Sequence, residues 1–511
     1  MHRLRPVVMR TTRPVAAALA TLAAAALLAG CAAAAPMVQP AAGAAPFPEE
    51  LETYYTQELD WSECGDGFEC ADVTVPMDYD EPDGETISIA VKVLQAGGES
   101  LGALFINPGG PGGSGIELVE NASSTFGDPL LESYDIVGFD PRGVGASTAV
   151  RCYDSAQLDD LFSRTYDLTT DRGFDRYLSD LTAYGEACEA NTGELVHHLD
   201  TVTAARDLDV LRAALHQPQL TYLGYSYGTF LGAIYAEHFP DSMGRLVLDG
   251  AVDPSLNYAE ITQGQIAGFD VAYRSYLEDC LSSADCPFTG DVDAAVHQTT
   301  QLVHQLADTP APSGDPERPV TDSDLYNAIV IALYSPDSWP VLTSAMAALI
   351  NNDDGAQIRF LADVAMERDD NGEYPEDEGA FRLIDCSDYP VELDQQRSRE
   401  LAEENAEISE LFGEAFSYGE VGCAAMPITS DAVREPIHAE GTPPIVVIGT
   451  TRDPATPYDW AESLAEQLDS GVLIGYEGDG HTAYGGVSSC VDTAVESFLI
   501  DGVVPEDGLR C

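Results

Sequence analysis

The chain is nearly without lysine. Lys92 is the only one in 511 residues, and lysine plus arginine total 23 against 87 aspartates plus glutamates, a net charge of −64. A surface this acidic repels phosphate backbones and anionic headgroups, which argues against nucleic acid as a partner. GxxxxGK[ST] does not occur either, so no nucleoside triphosphate loop is available. CxxC pairs and close Cys/His spacings are absent, which leaves no metal-ligand set to read. Past residue 30 no apolar run is long and uncharged enough to cross a bilayer, and no internal repeat is visible. What is present is ordinary for a globular protein: 45% hydrophobic and 22% charged residues, with 45 glycines and 31 prolines. That composition excludes collagen, coiled coil and wholesale disorder.

Residues 1–30 read as a signal peptide. Arg3, Arg5, Arg10 and Arg13 form a basic region, and the uncharged run Val15–Ala29 follows. As a helix that run spans only about half of a bilayer core, which suits a signal rather than an anchor. It ends Leu28-Ala29-Gly30-Cys31, resembling the lipobox of bacterial lipoproteins, in which the cysteine is lipidated. The alternative is an ordinary secretory signal cut within the alanines at 32–35. Residues 31–48, rich in Ala, Pro and Gly, read as a flexible tether or pro-segment. With Cys31 set aside, ten cysteines remain, an even number that in an oxidising compartment points to disulfides. Locality suggests Cys64–Cys70, Cys152–Cys188, Cys280–Cys286, Cys386–Cys423 and Cys490–Cys511.

The rest of the chain alternates strand-like and helix-like segments. Short apolar runs at 85–94, 101–106, 134–139, 220–223, 245–248, 444–448 and 471–475 end in Gly-rich or polar turns. Helical patterns at 201–215 and 229–239 separate some of them. This predicts a mostly parallel sheet covered by helices, with functional loops at the C-terminal strand ends. The alternation breaks between about 253 and 442, where helical periodicity fills 261–282, 291–307, 323–333, 341–366 and 396–415. A stretch that long is no loop. The expected division is a core over 49–253 and 443–511, interrupted by a helical cap domain at 254–442.

Gly224-Tyr225-Ser226-Tyr227-Gly228 sits between a strand pattern and a helix pattern, the context of a nucleophile elbow that exposes a strained serine. Serine needs a base, and His481 in Gly478-Asp479-Gly480-His481-Thr482 follows the last long apolar run. The base needs a carboxylate. Asp453, after the run 444–448, is preferred; Asp249, after 245–248, is the alternative. Acyl transfer also needs donors for an oxyanion. The loop Asn107-Pro108-Gly109-Gly110-Pro111-Gly112-Gly113-Ser114-Gly115 can bring backbone N–H groups close to a substrate, with Gly109 or Gly110 and Tyr227 as donors.

These motifs, together with Asp140-Pro141-Arg142-Gly143-Val144-Gly145-Ala146-Ser147 and Asp453-Pro454-Ala455-Thr456-Pro457, resemble the tripeptidyl aminopeptidase and prolyl iminopeptidase branch of the α/β-hydrolases. The loop at 107–115 is similar to that branch's HGGPG loop, with Pro108 where its histidine stands. The resemblance implies an α/β-hydrolase fold, a mostly parallel sheet flanked by helices with a large inserted helical cap. It implies Ser226 as nucleophile, Asp453 as acid, His481 as base, and a serine exopeptidase that releases short peptides from free N-termini. No metal or organic cofactor is implied, and the expected partners are peptide substrates, with membrane contact only through a lipid at Cys31. An exopeptidase must bind an α-ammonium, and Asp388, then Asp385, in the segment Ile384–Asp388 are the candidates. The same machinery fits an esterase or lipase, and a non-catalytic peptide-binding lipoprotein is the remaining alternative.

Overall fold

The computed structural model describes residues 47–65, 67–428, 430 and 432–511; the signal region and Cys31 lie outside the described residues. Ten strands form one sheet: β1 (Ser62–Glu63), β2 (Phe68–Pro76), β3 (Thr86–Leu94), β4 (Ala103–Asn107), β5 (Asp135–Phe139), β6 (Leu220–Tyr225), β7 (Met243–Asp249), β8 (Ile445–Arg452), β9 (Gly471–Asp479) and β10 (Leu509–Arg510). Their order across the sheet is β1-β2-β3-β5-β4-β6-β7-β8-β9-β10. Pairing is antiparallel as far as β3–β5 and parallel from β5–β4 onward. This is the mostly parallel, helix-flanked sheet of an α/β-hydrolase.

The parallel strands are apolar along their length because helices cover both faces. All five residues of β4 are buried, and one apolar cluster lies on each side of the sheet. Every loop singled out in the sequence leaves a C-terminal strand end: 108–115 after β4, Ser226 after β6, Asp249 ending β7, Asp453 after β8, and His481 after β9.

Between β7 and β8 the chain forms helices over Tyr258–Ser282, Val292–Asp308, Asp322–Leu333, Trp339–Asn352, Ala356–Ala365, Ala380–Asp388 and Gln395–Ala406, with shorter turns after them. The first five bury an apolar cluster of their own with Phe412, including Ile266, Phe269, Tyr273, Leu325 and Leu342, whereas Ala380, Leu383, Ile384 and Cys386 join the apolar cluster of the sheet. The helix expected over 341–366 is two helices. Asp353 takes a left-handed conformation (φ 54°) that ends the first and turns the chain into the second. Helix Ala380–Asp388 has no counterpart among the expected elements. The five disulfides join the cysteine pairs that locality suggests.

Arg142 explains the motif at 140–143. It is 1% exposed and clamps Asp207 with Nε and Nη2, both at 2.7 Å. Its other donors reach the carbonyls of Met77 and His198 at 2.9 Å and Pro76 at 3.2 Å. Removing one partner strands a buried charge, so Arg142→Met is expected to lower stability by about 3–5 kcal/mol in denaturant unfolding. A change under about 1 kcal/mol would show that water replaces the guanidinium.

Candidate active site

Ser226 joins β6 to helix Tyr227–His238 with φ 52° and ψ −124°. A non-glycine residue held there is strained, and such strain persists only where the surroundings enforce it. Enforcement comes from both sides. The Ser226 N–H donates to the Asp249 carbonyl at 2.9 Å, and the Thr229 N–H and hydroxyl donate to the Ser226 carbonyl at 2.8 and 2.6 Å. The motif glycines serve close approach. A methyl at Gly224 would lie 2.4 Å from the Gly228 carbonyl oxygen, and one at Gly228 2.7 Å from Asn107 Oδ1.

His481 Nδ1 lies 2.9 Å from each carboxylate oxygen of Asp453. Asp453 is 1% exposed, and it also accepts the amides of Ala455 and Thr456 at 2.9 Å and of Thr482 at 3.2 Å. Beneath this pair, Arg452 and Asp479 face each other across β8 and β9 and form a bidentate ion pair at 2.6 and 2.7 Å. Burial works to depress the His481 pKa, but the Asp453 charge and hydrogen bond, with the charge of Asp249, hold it above the usual histidine value. His481 Nε2 is buried and makes no hydrogen bond. Ser226 Oγ makes none among the described residues either, so the serine–histidine contact is open in this structure. Such contacts commonly tighten only around substrate.

Asp249 does not touch the imidazole. Its carboxylate accepts the amides of Ala483 and Tyr484 instead, so of the two aspartates Asp453 is the histidine's partner.

The glycine-rich loop lies against the elbow: a methyl at Gly109 would sit 2.9 Å from Ser226 Cβ and 3.1 Å from the Tyr227 amide nitrogen. The Gly109 N–H, however, donates to Asn107 Oδ1 at 2.9 Å. That corrects the pair of loop candidates, because a spent amide is no oxyanion donor; Gly110 remains. The amides of Gly110 and Tyr227 have no acceptor among the described residues, and Tyr227 opens its helix, where N–H groups lack intrahelical partners. Gly110 to Gly115 also has the G-x-G-x-x-G spacing of a dinucleotide loop. The helix it opens, Gly115–Glu120, has its N-terminus filled by the Asp140 carboxylate, which accepts from Ser114 Oγ at 2.6 Å and the Ile116 amide at 3.1 Å. A phosphate there would meet a negative charge.

The family described as TAP-like protein matches residues 409–511. Serine protease Hip1 of Mycobacterium tuberculosis is 36% identical over 476 residues, 89% of this chain and 91% of that one. The tripeptidyl aminopeptidase of Streptomyces lividans is 30% identical over 480 residues, 89% and 86% of the two chains. The chain belongs to this α/β-hydrolase serine peptidase family. Carboxylesterase B of Mycobacterium tuberculosis, 35% identical over 529 residues and 98% of each chain, also matches. Two features from the helices between β7 and β8 meet the oxyanion and histidine loops.

The first is helix Ala380–Asp388. Its start abuts the oxyanion loop, with a methyl at Gly112 falling 3.1 Å from the Phe381 amide nitrogen. Asp388, the first-ranked ammonium candidate, is 4% exposed, and both its oxygens are occupied, by the Thr201 amide at 2.8 Å and the Thr201 hydroxyl at 2.6 Å. Burial lifts its pKa to about 7. This corrects its assignment: the carboxylate is turned into protein, where Thr201 in turn hydrogen-bonds the Tyr227 hydroxyl. Asp385, one turn earlier, is half-buried and lines a cavity of about 950 Å³ with Tyr258, Phe381, Phe416 and Tyr418. Burial, opposed by Arg382 and Arg434, lifts its pKa to about 6.

The second feature went unread in the sequence. The turn after helix Asp322–Leu333 rests on the histidine loop. Tyr334 accepts the His481 N–H at 2.9 Å and packs its ring edge-on, with centroids 5.0 Å apart. A lone tyrosine between two helices carries no local signal of that contact.

Proposed function

We propose that the protein is an exported serine exopeptidase that releases short peptides, tripeptides in particular, from free N-termini. Ser226 attacks the peptide carbonyl as His481 takes its proton, and Asp453 fixes the tautomer and stabilises the imidazolium. The amides of Tyr227 and Gly110 stabilise the oxyanion. The leaving amine departs with the proton from His481, and water activated by the same histidine hydrolyses the acyl-enzyme. The observation that carries the reading is the Asp453–His481 pair at 2.9 Å beside a strained serine elbow. The serine protease and tripeptidyl aminopeptidase relatives support peptides as substrates.

Asp385 lines a cavity with aromatic and charged residues that reaches Phe381, the neighbour of Gly112, and it is the α-ammonium partner in this proposal, in place of Asp388. Helices between β7 and β8 restrict access to flexible chains. The disulfides support an oxidising compartment; export through residues 1–30 and lipid attachment at Cys31 complete the proposal.

The test compares a free tripeptidyl anilide, its N-acetylated form and a p-nitrophenyl ester in one run. Cleavage of the free tripeptide alone, with KM raised about tenfold or more in Asp385→Asn, is the expected result. Equal cleavage of the acetylated peptide removes the exopeptidase claim. Cleavage of the ester alone installs the second reading, an esterase, which the carboxylesterase relative favours.

A further inference from the structure

Asp249 lies between the two halves of the candidate machinery and belongs to neither. It is the last residue of β7 and fully buried. Its main-chain carbonyl accepts the Ser226 N–H at 2.9 Å. Its carboxylate accepts the Ala483 amide at 3.1 and 3.0 Å and the Tyr484 amide at 2.7 Å, two and three residues past His481. Gly250, the next residue, donates its N–H to the Ile448 carbonyl in β8 at 3.0 Å. It also passes under the imidazole so closely that a methyl there would lie 3.3 Å from His481 Cε1. One short segment therefore contacts the nucleophile, the histidine loop and the strand that leads to Asp453.

We propose that Asp249 is a positioning residue whose ionised carboxylate sets His481 against Ser226. The inference rests on Ser226, Asp453 and His481 acting as proposed above. An ionised carboxylate is acceptor-only and suits two converging N–H donors. A protonated one keeps Oδ2 as acceptor for both amides but sets a hydroxyl at Oδ1 against the Ala483 N–H, so that contact at 3.1 Å is lost. The groups facing Asp249 are Tyr225 from β6, whose hydroxyl is buried without a partner, Asp453 after β8, and His481 with the Ala483 and Tyr484 amides after β9. None of them supplies a side-chain cation except His481 itself. Burial therefore lifts Asp249 to about 7, although both amides and His481 pull the other way. Its charge also helps to hold His481 above its usual value. As pH falls through about 7 the loop loses its anchor, and the base, held above its usual value, also takes up its proton on the way down.

The experiment measures kcat and KM against pH for wild type, Asp249→Asn and Ser226→Ala, on whichever of the three substrates the wild type turns over best. The wild-type acid limb is expected to have a two-proton slope, since both groups must be ionised or neutral in the right sense. Asp249→Asn keeps one acceptor, which both amides must share, and sets an NH₂ against the Ala483 N–H. Its kcat is expected to fall about tenfold or more at unchanged KM. Its acid limb is expected to become single-proton and to move to lower pH by roughly half a unit, because a negative charge near His481 is gone. A folded Asp249→Asn with wild-type kcat and slope overturns the proposal, as does a two-proton slope that persists in it. Asp249→Ser, which keeps a neutral acceptor, reads the same quantities if the asparagine variant does not fold, and a one-proton slope in the wild type overturns the proposal without any variant. Full activity of Ser226→Ala would instead overturn the serine mechanism and leave the anchoring geometry untouched.

Discussion

Ser226→Ala is expected to lower kcat by about 10⁶-fold and to abolish labelling by a fluorophosphonate, with the melting temperature unchanged. The two halves of that expectation have separate origins. In the proposed mechanism chemistry depends on Ser226 Oγ, which forms the acyl bond. Stability does not depend on it, because Oγ makes no hydrogen bond among the described residues and the φ of 52° is enforced through backbone groups that alanine keeps. Residual turnover of about 10³–10⁴ over the uncatalysed rate is expected from the oxyanion amides and binding alone. Retention of labelling would mean that another side chain is the nucleophile.

Asp453→Asn is expected to cost about 10⁴-fold in kcat with little change in KM. The asparagine is nearly the same size, and its carbonyl oxygen can still accept from Ala455 and Thr456. The loss is therefore one of tautomer: an amide NH₂ facing Nδ1 favours the imidazole with its proton on Nε2, which is unable to act as base toward Ser226. Burial works to lower the His481 pKa, and the Asp453 charge is the largest effect opposing it. Residual activity is thus expected to show its acid limb at lower pH than the wild type. A loss below about tenfold would pass the role of acid to the other buried aspartate, Asp249.

The strands that carry the site are legible in the sequence because each is a short apolar run that stops at glycine or a polar residue, as at Leu220–Leu223 before Gly224. The candidate triad is legible for the same reason: Ser226, Asp453 and His481 stand at those stops. Strand β2 is less so: it is no apolar run, since Asp72 and Thr74 alternate outward with buried Ala71, Val73 and Val75, and its pairing with β3 decides its state. Helix Ala380–Asp388 is hidden by charge. Its inner face includes Asp388, whose burial is set by Thr201, 187 positions away in the chain. Carboxylates are almost always solvated, so nothing local distinguishes Asp388, turned inward, from Asp385, facing a cavity. The exclusion of Gly109 as a donor is equally invisible, because a backbone amide's partner leaves no mark on residue type.

The disulfide pattern has a mechanical consequence. Cys64–Cys70, Cys152–Cys188 and Cys490–Cys511 close within the sheet-bearing part, and Cys280–Cys286 and Cys386–Cys423 close among the helices between β7 and β8. Among the described residues no bridge crosses from one part to the other. The helices are fastened to the sheet by the two stretches of chain after β7 and before β8 and by contacts such as Asp388 with Thr201 and Tyr334 with His481. Each part is stapled against unravelling, while only hydrogen bonds and packing, including that of helix Ala380–Asp388 in the apolar cluster of the sheet, resist their separation.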